Sequence, residues 1–256
     1  MLAALLQLAT APAADAQLLA AARSASASFQ DRSAAIRAGY RKLGPEVPEM
    51  GEHWINPIMI VESRYDPARP AVLTYATIDG RPTLTGVAYA LAMRTGESAP
   101  ATGVSGTWHD HAATVFAELA NADHGARVAG ARVVVMHAWV WVDNPAGVFA
   151  DENWALPYLR LGRVVPAQID PHAARALALL YDGGAYYAGV LRNVTGEDFS
   201  AELGEAAKRV QRTTEAELAA IWRDTARALT ARVKDPALKA RVFVALGITA
   251  HAHQVP

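Results

Sequence analysis

The sequence predicts an α+β fold: an antiparallel β-sheet domain packed with an N-terminal helix and followed by a helical C-terminal region. Three observations carry this expectation. Strand-like runs and a tight hairpin turn are confined to the middle of the chain, helix-spaced apolar stripes occupy both ends, and the strands precede the later helices instead of alternating with them.

The N-terminal stretch sets the apolar run Met1–Ala9 before the small-residue triplets Ala11-Pro12-Ala13 and Ala14-Asp15-Ala16. Residues 1–16 therefore read either as a signal remnant or as an apolar helix, and no basic residue precedes Arg23. Between Leu18 and Leu43, the residues Leu18, Ala22, Phe29, Ile36, Tyr40 and Leu43 fall at helical intervals among charged positions. They predict an amphipathic helix stopped by Gly44-Pro45. The loop Pro45–Gly51 then delivers Glu52-His53-Trp54 to the edge of a first strand expected over Ile58–Glu62.

Strands are predicted over Ala71–Ile78 and Pro82–Met93, joined by the hairpin turn Asp79-Gly80. A Gly/Ser/Ala/Pro-rich connection, Gly96–Gly106, precedes a strand bearing His109 and His111. Ala112–Ala120 is alanine-rich and helix-like, Arg132–His137 is a β-branched strand, and Asp143–Gly147 is turn chemistry. Phe149–Leu161 reads as an irregular covering segment. Beyond it, Asp170-Pro171 and Asp235-Pro236 each pair an N-cap with proline at the first helical position. Gly183-Gly184 breaks the first of these helices, and Gly247 is expected to end the last. The stripe Leu203, Ala207, Val210, Leu218, Ile221, Trp222, Ala226 and Leu229 lies between them, suited either to packing on the sheet or to self-association as a homo-oligomer. The expected organisation is thus residues 1–16, a histidine-bearing α+β domain over 17–165, and a helical region over 166–256 packed on it.

Composition narrows the chemistry. The 256 residues are 52% hydrophobic and 19% charged, with a formal net charge of -1, enough for a large core and without the basic footprint of a nucleic-acid binder. No run of about 20 apolar residues follows the N-terminus, so no transmembrane segment is expected. The absence of cysteine excludes disulfides, thiolate zinc sites, iron–sulfur clusters and blue-copper ligation. A metal in this chain must sit on nitrogen and oxygen.

The histidines supply such donors. His109 and His111, two apart on a strand, present their imidazoles to one face. His137 shares a face with Val133, Val135, Trp139 and Trp141, and an imidazole on so apolar a face needs a partner. His53 stands where a loop meets a sheet, a common place for a ligand. The candidate metal ligands are therefore His53, His109, His111 and His137, holding zinc, copper, nickel or iron. Glu52 and Glu62 are candidate carboxylates for orienting an imidazole or acting as a general base. Trp54, Trp108, Trp139 and Trp141 are expected to wall the site.

Each residue also has a plainer reading: a hydrogen-bonded core histidine, a solvated glutamate, a core tryptophan. His124 and His172 suit polar turn or helix-start positions, and His251 and His253 suit a frayed terminus. Asp110 should point away from His109, which weakens a His-x-Asp iron motif. Gly103-x5-His109-x-His111 partly fits the opening of a cupin motif, but Glu118 comes too late and His137 lacks the preceding Pro-x-Gly turn. Nucleophile-elbow, P-loop, Rossmann, H-E-x-x-H and EF-hand signatures are missing.

Met50-Gly51-Glu52-His53-Trp54-Ile55-Asn56-Pro57, Trp108-His109-Asp110-His111 and the run from His137 to Phe149 resemble the signatures of a family of uncharacterised, often exported bacterial proteins. The resemblance covers roughly Ala35–Asn153 and implies a shared domain and a common histidine site; it implies no reaction. The signal-like N-terminus gives the expectation of an exported or periplasmic location, with the cytoplasm as the alternative. Three functions stay open: a metal-dependent enzyme activating water or dioxygen on a small molecule, a non-catalytic metal-binding or sensing protein, and an interaction module with a histidine polar core.

Overall fold

The computed structural model describes the backbone of residues 2–94, 96–110 and 131–246, and the side chains within them except those of 2–12, 131 and 244. It is an α+β structure. The strands are β1 (Arg41–Val47), β2 (Gly51–Ile55), β3 (Val72–Ile78), β4 (Arg81–Arg94), β5 (His109–Asp110) and β6 (Ala131–Ala138). They form one antiparallel sheet in the order β1-β2-β3-β4-β6-β5. The chain divides into two compact units: Met1–Gly44 with Met50–Asn153, and Pro45–Glu49 with Trp154–Pro256. The division falls at Asn153/Trp154, ahead of the 165/166 boundary expected, and the short segment Pro45–Glu49 goes with the helices.

In the sheet unit, Asp79 and Gly80 both take positive φ, 50° and 71°, which matches a hairpin turn to the twist of β3 and β4. Two expectations are corrected nearby. The helix predicted from Leu18 to Leu43 is instead α1 (Leu2–Ser26), a 3-10 turn at Ala27–Gln30 and α2 (Arg32–Arg37). The Asp31 side chain accepts from the Ser33 N–H and starts α2 afresh, and Gly39, at φ 95°, follows its end. Gly44-Pro45 lies inside β1, at the edge of the sheet, where a missing N–H is tolerated. The strand expected at Ile58–Glu62 is α3 (Pro57–Glu62). Asn56 caps it by accepting from the Met59 N–H, Pro57 occupies the first turn, and Ser63 ends it with φ 51°. A short apolar run has no period of its own strong enough to resist those caps.

Alternation splits the sheet into two apolar faces. Leu73, Tyr75, Leu84, Val87, Tyr89, Met136 and Ala138 pack with Leu18, Ala22 and Tyr40. The opposite face carries Ile55, Val72, Ala88, Ala90, Val133 and Val135, packed with Ile60 of α3. Strand β6 ends at Ala138, so the face shared by His137 does not extend to the tryptophans beyond it.

The helical unit contains α4 (Leu156–Arg160), α5 (Pro171–Asp182), α6 (Ala185–Thr195), α7 (Ser200–Gln211), α8 (Leu218–Arg232) and α9 (Pro236–Ala245). Asp170 caps α5 through the His172 N–H, and Asp235 accepts from Ala237 and Leu238 N–H at the start of α9. Gly183 and Gly184 separate α5 from α6 at positive φ; a Cβ on Gly184 would lie 2.7 Å from that of Leu203. The stripe from Leu203 to Leu229 is buried with Leu177, Leu179, Leu191 and Phe199 as the core of this unit, so it is not held in reserve for self-association. The helix expected over Ala112–Ala120 and the stop at Gly247 lie outside the described residues.

A buried charged group explains why Pro45–Glu49 belongs with these helices. The Tyr187 hydroxyl donates to Glu49, which is 4% exposed, and Arg175 Nε lies 3.7 Å from the same carboxylate while its guanidinium covers the Trp154 ring at 4.5 Å. Glu46 pairs with Arg160 at 2.6 Å, and that guanidinium sits 3.8 Å from the Tyr181 ring centre. Removing one partner of a buried pair costs more than the pair contributes, because the other charge stays buried. Glu49→Ala is expected to lower the stability of the helical unit by about 3 kcal/mol, read as a lower urea midpoint; an unchanged midpoint would contradict this.

Candidate metal centre

Cross-strand register brings two distant histidines onto one face. Ile55 pairs with Val72, Val72 with Ala88 and Ala88 with His137. Two positions along, His53 pairs with Thr74 and Thr74 with Gly86. His53 and His137 therefore stand on the same face with β3 and β4 between them, and the floor between them is small: Thr74, Gly86 and Ala88. A Cβ on Gly86 would lie 2.8 Å from the Ala138 carbonyl oxygen and 3.3 Å from Thr74 Oγ1, so nothing larger fits there without a shift. Across this floor the two rings approach to 6.4 Å between centroids, perpendicular to each other. His109, paired with Val135 from the far side of β6, adds a third imidazole to the face, stacked on His137 at 5.3 Å with an interplanar angle of 8°.

The fourth polar group comes from the segment after β6. Asn144 accepts from the Ala146 N–H in the Asp143–Gly147 turn, and the chain doubles back: the Trp139 N–H donates to the Val148 carbonyl and Trp139 Nε1 to that of Ala150. Asn144 Nδ2 donates to Glu152 O and Asn153 Nδ2 to Asp143 O, closing the loop on itself. This places Asp151 Oδ1 3.1 Å from His109 Nδ1. One donor atom from each of His109, His137 and Asp151 lies within 4.8 Å of the other two, with His137 buried and its two partners half-buried. Asp151 is not among the residues singled out by the sequence. The signal was a carboxylate in a segment whose preceding turn returns it along the histidine strand.

Burial pushes the His53 imidazole down to about 4, against a hydrogen bond from the ring to the Gly51 backbone, so the ring is neutral at neutral pH and keeps one lone pair. Glu52, its neighbour in sequence, points to the opposite face, where it pairs with Arg32 and Lys42, each at 2.7 Å, and accepts from Trp54 Nε1. Burial raises its carboxyl, but hydrogen bonds from Lys42 and Trp54 and the charges of Lys42 and Arg32 outweigh that and hold it below its ordinary value. Glu62 is an exposed residue on α3 paired with Arg69 at 2.8 Å. Neither glutamate joins the histidines. Asp110 faces away as expected and pairs with Arg132 at 2.7 Å.

The tryptophan wall is also redistributed. Trp54, Trp108 and Trp141 pack against the Leu73/Tyr75/Tyr89 face, and Trp141 Nε1 donates to Ser26 Oγ. Trp139 alone among the four braces the Asp151 segment. His111, His124, His251 and His253 lie outside the described residues. No helix among the described residues is long and apolar enough to cross a membrane.

Compared with protein families, curated proteins and solved structures, the chain finds no match. The geometry alone therefore carries the reading of this site. Glu52→Gln is expected to cost about 1 kcal/mol of stability, as befits a partly exposed ion pair, and to leave the imidazole nitrogen resonances of His53 and His137 unmoved. A large shift of either resonance would contradict the separation of Glu52 from the site.

Proposed function

We propose that this protein binds one first-row divalent ion through His109, His137 and Asp151. The observation that carries the proposal is the convergence of two imidazoles and a carboxylate to within 4.8 Å of one another on the sheet face that also carries the apolar Ile55, Val72, Ala88, Val133 and Val135. At bond lengths of about 2.0–2.2 Å, ligand atoms on a shared ion sit about 3 Å apart when adjacent. The 3.1 Å between His109 Nδ1 and Asp151 Oδ1 already has that spacing. The His137 donor atom lies within 4.8 Å of both.

Donor chemistry narrows the ion. Two imidazoles favour zinc, copper, nickel or iron(II) over magnesium and calcium, which take oxygen ligands. A bound ion of this kind supplies Lewis acidity and lowers the pKa of a coordinated water. The side chains of the chain hold and orient it: the hydrogen-bonded loop from Asn144 to Asn153 fixes Asp151, and the pairing of β5 with β6 fixes His109 against His137. A second reading, a metal-dependent enzyme acting on water or dioxygen, is favoured by the ligand number, since three protein ligands leave positions for an exchangeable group.

Elemental analysis and zinc titration of the purified chain test the proposal. The wild type is expected to take up about one equivalent, and folded Asp151→Asn and His109→Ala variants to bind roughly tenfold more weakly or worse. Wild-type affinity in both variants would overturn it.

A further inference from the structure

His53 adjoins the three-residue donor group without belonging to it. An imidazole bound to a metal has its ring centre about 3.2 Å from the ion, combining a bond of about 2.1 Å with the distance from nitrogen to ring centre. Two imidazoles on one ion then have centroids about 5.2 Å apart at a tetrahedral angle and about 6.4 Å apart when opposed. The separation of His109 and His137, 5.3 Å, is close to the first value, and their stacked planes, 8° apart, must tilt for both lone pairs to meet one ion. That of His53 and His137, 6.4 Å, matches the second, so the two rings sit at the outer limit for sharing an ion.

Two further features suit His53 to that task. The positions between the two rings on the intervening strands are Thr74, Gly86 and Ala88, so no side chain larger than threonine stands there. One side of the ring also faces the Gly51 backbone, and metal-bound imidazoles are commonly held from behind by a backbone carbonyl. Gly51 is itself committed to the arrangement. Its φ is 85°, and a Cβ there would lie 2.3 Å from the Tyr75 carbonyl oxygen.

We propose that His53 is a fourth ligand to the ion held by His109, His137 and Asp151, giving a set of three imidazoles and one carboxylate. This rests on the reading of the preceding subsection. An ion that prefers four ligands, such as zinc, is then enclosed by the chain, while one that prefers six keeps two positions for small molecules.

Cobalt(II) titration of the full chain, followed by its visible absorption, separates the outcomes. His53→Gln, folded by circular dichroism, is expected to bind cobalt roughly tenfold more weakly or worse and to show altered d–d bands. Unchanged affinity and bands, with Asp151→Asn losing the ion, would overturn the role of His53 and leave the metal centre standing. Retention of the ion by His53→Gln, Asp151→Asn and His109→Ala alike would overturn both. If His53→Gln does not fold, zinc titration of wild type labelled with 15N-histidine decides: a large shift of the His53 ring nitrogen, assigned through its backbone, is expected, and an unmoved resonance refutes the proposal.

Discussion

The register of β2, β3, β4 and β6 is the constraint on which the rest depends. Because side chains alternate faces, a slip of one residue anywhere along that series would turn a histidine into the layer packed under α1, among Leu18, Tyr75 and Tyr89. The register is pinned from both sides. Each face buries a different apolar set, and an irregularity between Thr74 and Tyr75 offsets β3 against β4, where Thr85 Oγ1 donates to the Thr74 carbonyl. Gly86 beside it takes the close approach of the Ala138 carbonyl and the Trp139 backbone, which a Cβ would obstruct.

Imidazoles on such a face are costly unless something answers their polarity. His53 is answered by the Gly51 backbone, and His109 by Asp151. The second answer is delivered by hydrogen bonds that involve no histidine: Asn144, Asn153 and the Trp139 indole tie the return loop to its own backbone. The loop thus adds a carboxylate to a sheet whose own carboxylate on β2, Glu52, serves the other face.

Locally encoded features were legible in the sequence. The Asp79-Gly80 hairpin, the Asp-Pro helix starts at 170 and 235, the glycine break at 183–184 and the β-branched strand before His137 all depend on residues that are neighbours along the chain. Features decided by tertiary contacts or by competing caps were not. Apolar Ile58–Glu62 became a helix because Asn56 and Pro57 start one, and the N-terminal helix was interrupted by the Asp31 cap. At the candidate site, strand alternation and the apolar context pointed to His109 and His137, which the fold brings together. Asp151 was not singled out, because its place beside His109 is set by where a loop returns, which no periodicity encodes. Glu52 misled for a related reason: adjacency to His53 in a strand guarantees the opposite face.

The most direct test of a metal centre at His109, His137 and Asp151 is a crystal grown with zinc and measured at the zinc absorption edge. An anomalous peak is expected about 2.0–2.2 Å from a nitrogen of each imidazole and from the Asp151 carboxylate. A fully loaded crystal whose anomalous peaks all lie elsewhere, with the three side chains unchanged, would contradict it.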